Sequence, residues 1–220
     1  MICLVTDRRR LGSDGDEGDR LVDLVAAAAR AGIDLVQVRE RDLEARPLAA
    51  LAARCVDAVA GTRTKILIND RADVAIVARA HGVHLRGDSI GTAAVRSLVG
   101  PGVLVGRSAH DPDEVAEAAH GGGLDYLIFG TLHPTVSKTA DHPITTLDAL
   151  RTACRVAAGL PVLAIGGMTI DRAVAAARAG AAGIAGIGLF LPPEGVHVDA
   201  HLQSVVAGLR LVFDTVGVDP

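Results

Sequence analysis

The chain reads as an α/β protein built as a (β/α)8 barrel, and three observations carry that reading. Short apolar runs rich in Val, Ile and Leu alternate with Ala-, Leu- and Arg-rich helical stretches along all 220 residues, an alternation that implies a parallel sheet. Eight such units can be counted, and eight closing on themselves make a TIM barrel. The length suits one domain over residues 1–220. The rival is an open, doubly wound sheet, which calls for a glycine fingerprint after the first strand; none follows Ile2 to Thr6.

In order, the first strand (Ile2 to Thr6) precedes a helix from about Asp19 to Ala31. A second strand lies within Asp34 to Glu40, ahead of a helix through Leu48 to Val59. Lys65 to Asn69 precedes the helical ADVAIVARA, and Gly82 to Leu85 precedes TAAVRSLV. Val103 to Gly106 precedes DEVAEAAH, and LDYLIFG precedes LDALRTACRVAA. PVLAIGG precedes DRAVAAARAG, and Ala182 to Gly188 precedes a last helix near Ala200 to Phe213. Two polar stretches, Asp7 to Gly18 and Thr135 to Thr146, each follow a strand and are expected at the catalytic rim as binding loops. A plain surface linker is the alternative for the first.

Half of the chain is hydrophobic but only 2% is aromatic, so the core is expected to be Val, Ile, Leu and Ala. A net charge of −4 and the near absence of stacking aromatics argue against nucleic-acid binding. Cys3, Cys55 and Cys154 lack metal or disulfide spacing and read as reduced thiols. MICLVTDRRR has the reverse order of a signal peptide, and no apolar run reaches membrane-spanning length. A soluble, cytoplasmic protein is expected.

The chemistry should sit where strands open into polar turns. Gln37 and Arg39 share one strand face at its C-terminal end, where two large polar groups call for a ligand or partner; the structural alternative pairs Arg39 with Asp70 or another strand-end acid. Asn69 and Asp70 end the third strand with oxygens suited to a hard cation. His84 ends the fourth and reads first as a satisfied barrel histidine. Asp88 is a second oxygen ligand or, like Ser89, a helix N-cap. Ser108 and His110 follow the fifth strand without the surroundings of an activated nucleophile. Lys138 lies among Thr135 and Ser137, where a cation can neutralise a leaving phosphate. Gly166-Gly167 and Gly186-Ile187-Gly188 end the last two strands, the usual phosphate site of this architecture.

Taken together, VQVRER, LINDRADVA, HGVHL, VGRSAH, DYLIFGTLHPTVSK and VLAIGGMT resemble the thiamin phosphate synthase and thiazole tautomerase family over nearly the whole chain. The resemblance implies a barrel that joins a pyrimidine pyrophosphate to a thiazole phosphate, with Mg2+, in a possible homodimer. It assigns the pyrimidine pyrophosphate to Gln37, Arg39, Arg41, Asn69, Ser108 and Lys138, and magnesium to Asp70. The thiazole phosphate goes to Thr135, Ser137, Gly167, Ile187 and Gly188, beside Gly166. Lys138, Arg39 and Ser108 are then the groups at the reacting atoms. The chain departs from the family at Arg41, usually Lys, at Gly188, usually Ser, and at Thr146-Leu147-Asp148, usually Gly-Leu-Glu. The second magnesium carboxylate falls at Ser89, with Asp88 one residue earlier. The tautomerase's catalytic histidine falls at Thr131, with His133 two residues on; a metal-independent tautomerase using His133 or His84 is the alternative, and a regulator that binds without turnover is the third.

Overall fold

The computed structural model describes residues 1–12, 15–135 and 143–216. Eight parallel strands close into a barrel in chain order: β1 (Ile2–Val5), β2 (Leu35–Val38), β3 (Lys65–Asn69), β4 (Gly82–Leu85), β5 (Leu104–Ala109), β6 (Tyr126–Phe129), β7 (Val162–Ile165) and β8 (Gly183–Gly186). The last meets the first through Ile2 opposite Ile184 and Cys3 opposite Ala185. Around them run α1 (Glu17–Ala31), α2 (Ala45–Ala58), α3 (Ala72–Val77), α4 (Thr92–Val99), α5 (Pro112–Gly121), α6 (Leu147–Val156), α7 (Ile170–Arg178) and α8 (Val198–Val216).

Local signals set the helix boundaries. Asp111 accepts from the N–H groups of Asp113 and Glu114 with Pro112 behind it, which starts α5. Thr146 and Thr169 do the same for α6 and α7. Gly32, at φ 86°, stops α1 in the left-handed conformation that other residues resist. No helix among the described residues is long and apolar enough to cross a membrane.

Strand alternation divides the apolar side chains between two compartments. Ile2, Leu4, Val36, Ile66, Ile68, Leu127 and Phe129 face outward to the helices in one large cluster. Cys3, Val5, Leu35, Leu67, Tyr126, Ile128, Leu163 and Ala185 fill the barrel itself. The expected aliphatic filling is thus incomplete, because the chain's one tyrosine stands inside. Gly106, paired with Tyr126 across β5 and β6, makes this possible: a Cβ there would overlap the phenol ring.

One element differs from the sequence expectation in a way that matters. β5 does not end at Gly106 but runs on to Ala109, because Arg107 pairs with Leu85 and Ala109 with Phe129. Ser108 is therefore a strand residue facing the barrel interior, not a loop residue. Replacing Gly106 by Ala should cost about 1–3 kcal/mol through overpacking. Gly102→Ala, where nothing lies within 4 Å of the added atom, serves as control. Equal urea midpoints for the two variants would contradict this packing.

Candidate active site

Every strand delivers a side chain or turn to one cavity of about 800 Å3 at the C-terminal rim. Val5, Gln37, Asn69, His84, Ser108, Ile128, Ile165 and Ile187 come from β1 to β8 or the residue after, one from each. Arg39, Arg41, Thr135, Gly166, Gly167 and Gly188 line it as well. The structure thus brings together all the described residues assigned to substrate by resemblance. Ser137 and Lys138 lie outside the described residues.

The cationic side is organised by a buried carboxylate. Glu40 accepts the Thr6 hydroxyl at 2.5 Å, the Arg8 backbone N–H at 3.2 Å and the Arg8 guanidinium at 3.0 Å. Arg8 is shared with Asp42 and with Glu17 at 2.9 Å. With Glu40 turned into this network, its neighbours Arg39 and Arg41 turn to the cavity. Two strand-end acids are already engaged, Glu40 by Arg8 and Asp70 by Arg86 at 3.6 Å and by the Ser89 hydroxyl. Among the described residues none forms an ion pair with Arg39, so the alternative Arg39–Asp70 pairing does not occur. Burial first, then neighbouring Arg41, holds the Arg39 guanidinium below its ordinary pKa, the condition that an incoming anion relieves.

Arg10 is a cation that sequence reasoning did not single out. It belongs to a 3-10 turn at Arg8–Arg10 inside the stretch expected to be a loop, and it reaches within 3.3 Å of where a Gly188 side chain would begin. The signal was three consecutive arginines directly after the first strand.

The opposite side is backbone. Gly130, Gly166 and Gly167 have φ of 157°, 111° and 54°, values that L side chains rarely adopt. A side chain at Gly166 would begin 2.7 Å from the Leu132 nitrogen, and one at Gly167 would begin 2.6 Å from the Pro134 oxygen. The two turns consequently lie in direct contact. Arg172 donates to the Gly167 carbonyl and pins that peptide. His110 donates from Nδ1 to the Gly130 carbonyl at 2.5 Å.

Between the two sides sit Gln37, Asn69, His84 and Ser108. Gln37 donates its amide to Asn69 Oδ1 at 2.9 Å. His84 is buried between Tyr126 and Ser108, and that burial pushes its pKa down to about 3. His133 is absent from the cavity wall; it stands against Gly167, while Thr131 and Pro134 on either side face the cavity. The turn from Gly130 to Thr135 is fixed by the Leu132 N–H on the Ile165 carbonyl, which sets that parity.

Magnesium is implied by the resemblance, and the residues were expected to be Asp70 and Asp88. Asp70 stands at φ 62° at the end of β3, and it is Ser89 whose hydroxyl meets Oδ1, while Asp88 pairs with Arg86. Neither Asp88 nor Ser89 caps α4, whose N-cap is Gly91. Among the described residues no three His, Cys, Asp or Glu cluster to cage a metal. One carboxylate and a hydroxyl at a half-exposed rim fit a hard cation completed by substrate phosphate and water oxygens, which is how Mg2+ is commonly held. Glu40→Ala should lower stability by about 3 kcal/mol, since it leaves buried donors of Thr6 and Arg8 unpaired. An unchanged denaturation midpoint would remove Glu40 from this role.

Residues 2–190 match the model of the family described as Thiamine monophosphate synthase. The chain is similar to the Thiamine-phosphate synthase of Roseiflexus castenholzii, 36% identical over 185 residues that span 84% of this chain and 78% of that one. It is also similar to that of Chlorobium luteolum, 35% identical over 194 residues, covering 88% and 86%. Among solved structures, Thiamine phosphate pyrophosphorylase from Pyrococcus furiosus superposes with a TM-score of 0.79 and 26% identity, covering 98% of this chain and 96% of that one. A barrel of this form, with this ordered set of motifs and this match, belongs to the thiamine monophosphate synthase family.

Proposed function

We propose that this protein is a thiamin phosphate synthase, which condenses hydroxymethylpyrimidine pyrophosphate with thiazole phosphate and releases pyrophosphate. The observation that carries the reading is a single cavity with two different anion-receiving sides. Arg39 and Arg41 stand on one, and the glycine turns at Gly166-Gly167 and Gly188 on the other. Two phosphorylated substrates need two such places.

In this reaction the bond between the pyrimidine methylene and the pyrophosphate oxygen breaks, its electron pair leaves with pyrophosphate, and the thiazole nitrogen captures the cation. No protein nucleophile is required. What the chain supplies is charge and position. Arg39, Arg41 and Lys138 neutralise the departing pyrophosphate. Gln37, Asn69 and Ser108 orient the pyrimidine between the two sides, while Thr135, Ser137, Ile187 and the turn N–H groups hold the thiazole phosphate. Asp70, with the Ser89 hydroxyl, would hold magnesium, which supplies further neutralisation of phosphate charge when bound. The low pKa of His84, about 3, makes it a weak base at neutral pH. The Thr131 position carries no titratable group, and His133 is off the cavity wall. These points favour the synthase over the tautomerase.

The test is incubation with both synthase substrates, with and without Mg2+. Magnesium-dependent release of pyrophosphate with formation of thiamin phosphate supports the proposal. Metal-independent isomerisation of the thiazole, or saturable binding without turnover, contradicts it. Arg39→Ala, Asp70→Ala and Lys138→Ala should each lower kcat/KM by at least about 100-fold, the scale of a lost electrostatic contact in a closed site. Normal rates in all three variants would remove these residues from the mechanism.

A further inference from the structure

At the cavity floor, three polar side chains on adjacent strands form a continuous chain. The Tyr126 hydroxyl lies 2.9 Å from His84 Nδ1, and His84 Nε2 lies 2.9 Å from Ser108 Oγ. Tyr126 and His84 are each only 2% exposed, and Ser108 opens onto the cavity. The condensation chemistry uses neither the phenol nor the imidazole. Yet room is made for them, since Gly106 carries no side chain opposite the ring.

The direction of each proton follows from counting partners. A buried hydroxyl proton needs an acceptor. Among the described residues, the partner of the Tyr126 hydroxyl is His84 Nδ1, and the phenol is not left unsatisfied. The phenol is kept protonated by burial, which raises its pKa well above the ordinary value. Tyr126 therefore donates and Nδ1 accepts. A neutral imidazole has one N–H, which then sits on Nε2 and is donated to Ser108 Oγ. With its oxygen accepting from His84, the Ser108 hydroxyl has its own proton left for the cavity.

We propose that Tyr126 and His84 are positioning residues that lock Ser108 as a hydrogen-bond donor toward the ligand. This corner of the site accordingly favours an atom with a lone pair, a pyrimidine ring nitrogen or a pyrophosphate oxygen, over a group without one, which would leave the Ser108 proton unpaired. A site that leaves a buried polar group unpaired discriminates strongly against the wrong ligand. The inference about the ligand rests on the proposed function; the proton arrangement does not.

Two measurements separate these parts. Nitrogen NMR of histidine-labelled protein, assigned by comparison with His84→Gln, should show His84 protonated on Nε2 and bare on Nδ1. The opposite tautomer would overturn the proposal, whether or not the protein proves to be a synthase. In steady-state assays Tyr126→Phe and His84→Leu should raise KM for the pyrimidine pyrophosphate about 5- to 10-fold, the worth of one oriented hydrogen bond, with kcat changed much less. His84→Gln, whose amide can donate where Nε2 does, should restore most of the loss. If inhibition by inorganic pyrophosphate weakens in parallel, the partner is a phosphate oxygen. If only binding of the pyrimidine alcohol weakens, it is a ring nitrogen. Either outcome supports the lock. Unchanged KM in folded Tyr126→Phe and His84→Leu would overturn it.

Discussion

The buried carboxylate of Glu40 is the interaction on which the cationic half of the mouth depends. It lies just past β2 but is satisfied by groups that follow β1: the Thr6 hydroxyl, and the backbone and guanidinium of Arg8. An isolated carboxylate could not stay buried there, but several donors together hold it in place. Glu40 shares its strand parity with Val36 and Val38, which face away from the barrel interior, and its neighbour Arg39 shares that of Gln37, which faces the cavity. Anchoring Glu40 therefore leaves Arg39, and Arg41 in the turn that follows, on the cavity wall. The neighbouring Glu40 carboxylate is committed to Arg8, and among the described residues no acid forms an ion pair with Arg39, which leaves its charge available to a ligand.

The other half depends on an absence of side chains. β6 and β7 end in turns that touch each other through backbone, and only glycine at positions 130, 166 and 167 permits this. Bringing peptide groups to a cavity wall gives N–H donors that recognise a phosphoester with little dependence on pH. Arg39 and Arg41 on one side, and the glycine turns with Arg10 beside Gly188 on the other, make the cavity directional. The polar group of Gln37, Asn69 and Ser108, between them, supplies orientation instead of charge. Beneath these, Tyr126 and His84 are shielded from solvent, so their proton arrangement is as fixed as the packing around them.

Much of the fold was legible because helix and strand periods alternate without interruption; the fourth helix, Thr92–Val99, coincides with its sequence reading. The cavity-lining residues of β2, β3, β7 and β8 were legible for a related reason: polar or glycine residues at strand ends have few structural uses. Other features were not legible. The extension of β5 through Ser108 comes from pairing with β4 and β6, which local sequence does not carry. Whether Asp88 or Ser89 meets Asp70 depends on a loop one residue longer or shorter, and Arg86 decides it by drawing Asp88 away. Arg10 hid in a stretch that read as a loop, and the Tyr126–His84 contact joins residues 42 positions apart.

The central claim is that the mouth holds two anions on chemically distinct walls. A crystal structure of the protein with thiamin phosphate and pyrophosphate bound together tests it most directly. The account predicts the phosphoester against the turns at Gly167 and Gly188, with pyrophosphate across the cavity on Arg39 and Arg41. Both anions on one wall, or the phosphoester seated on Arg39 and Arg41, would contradict it.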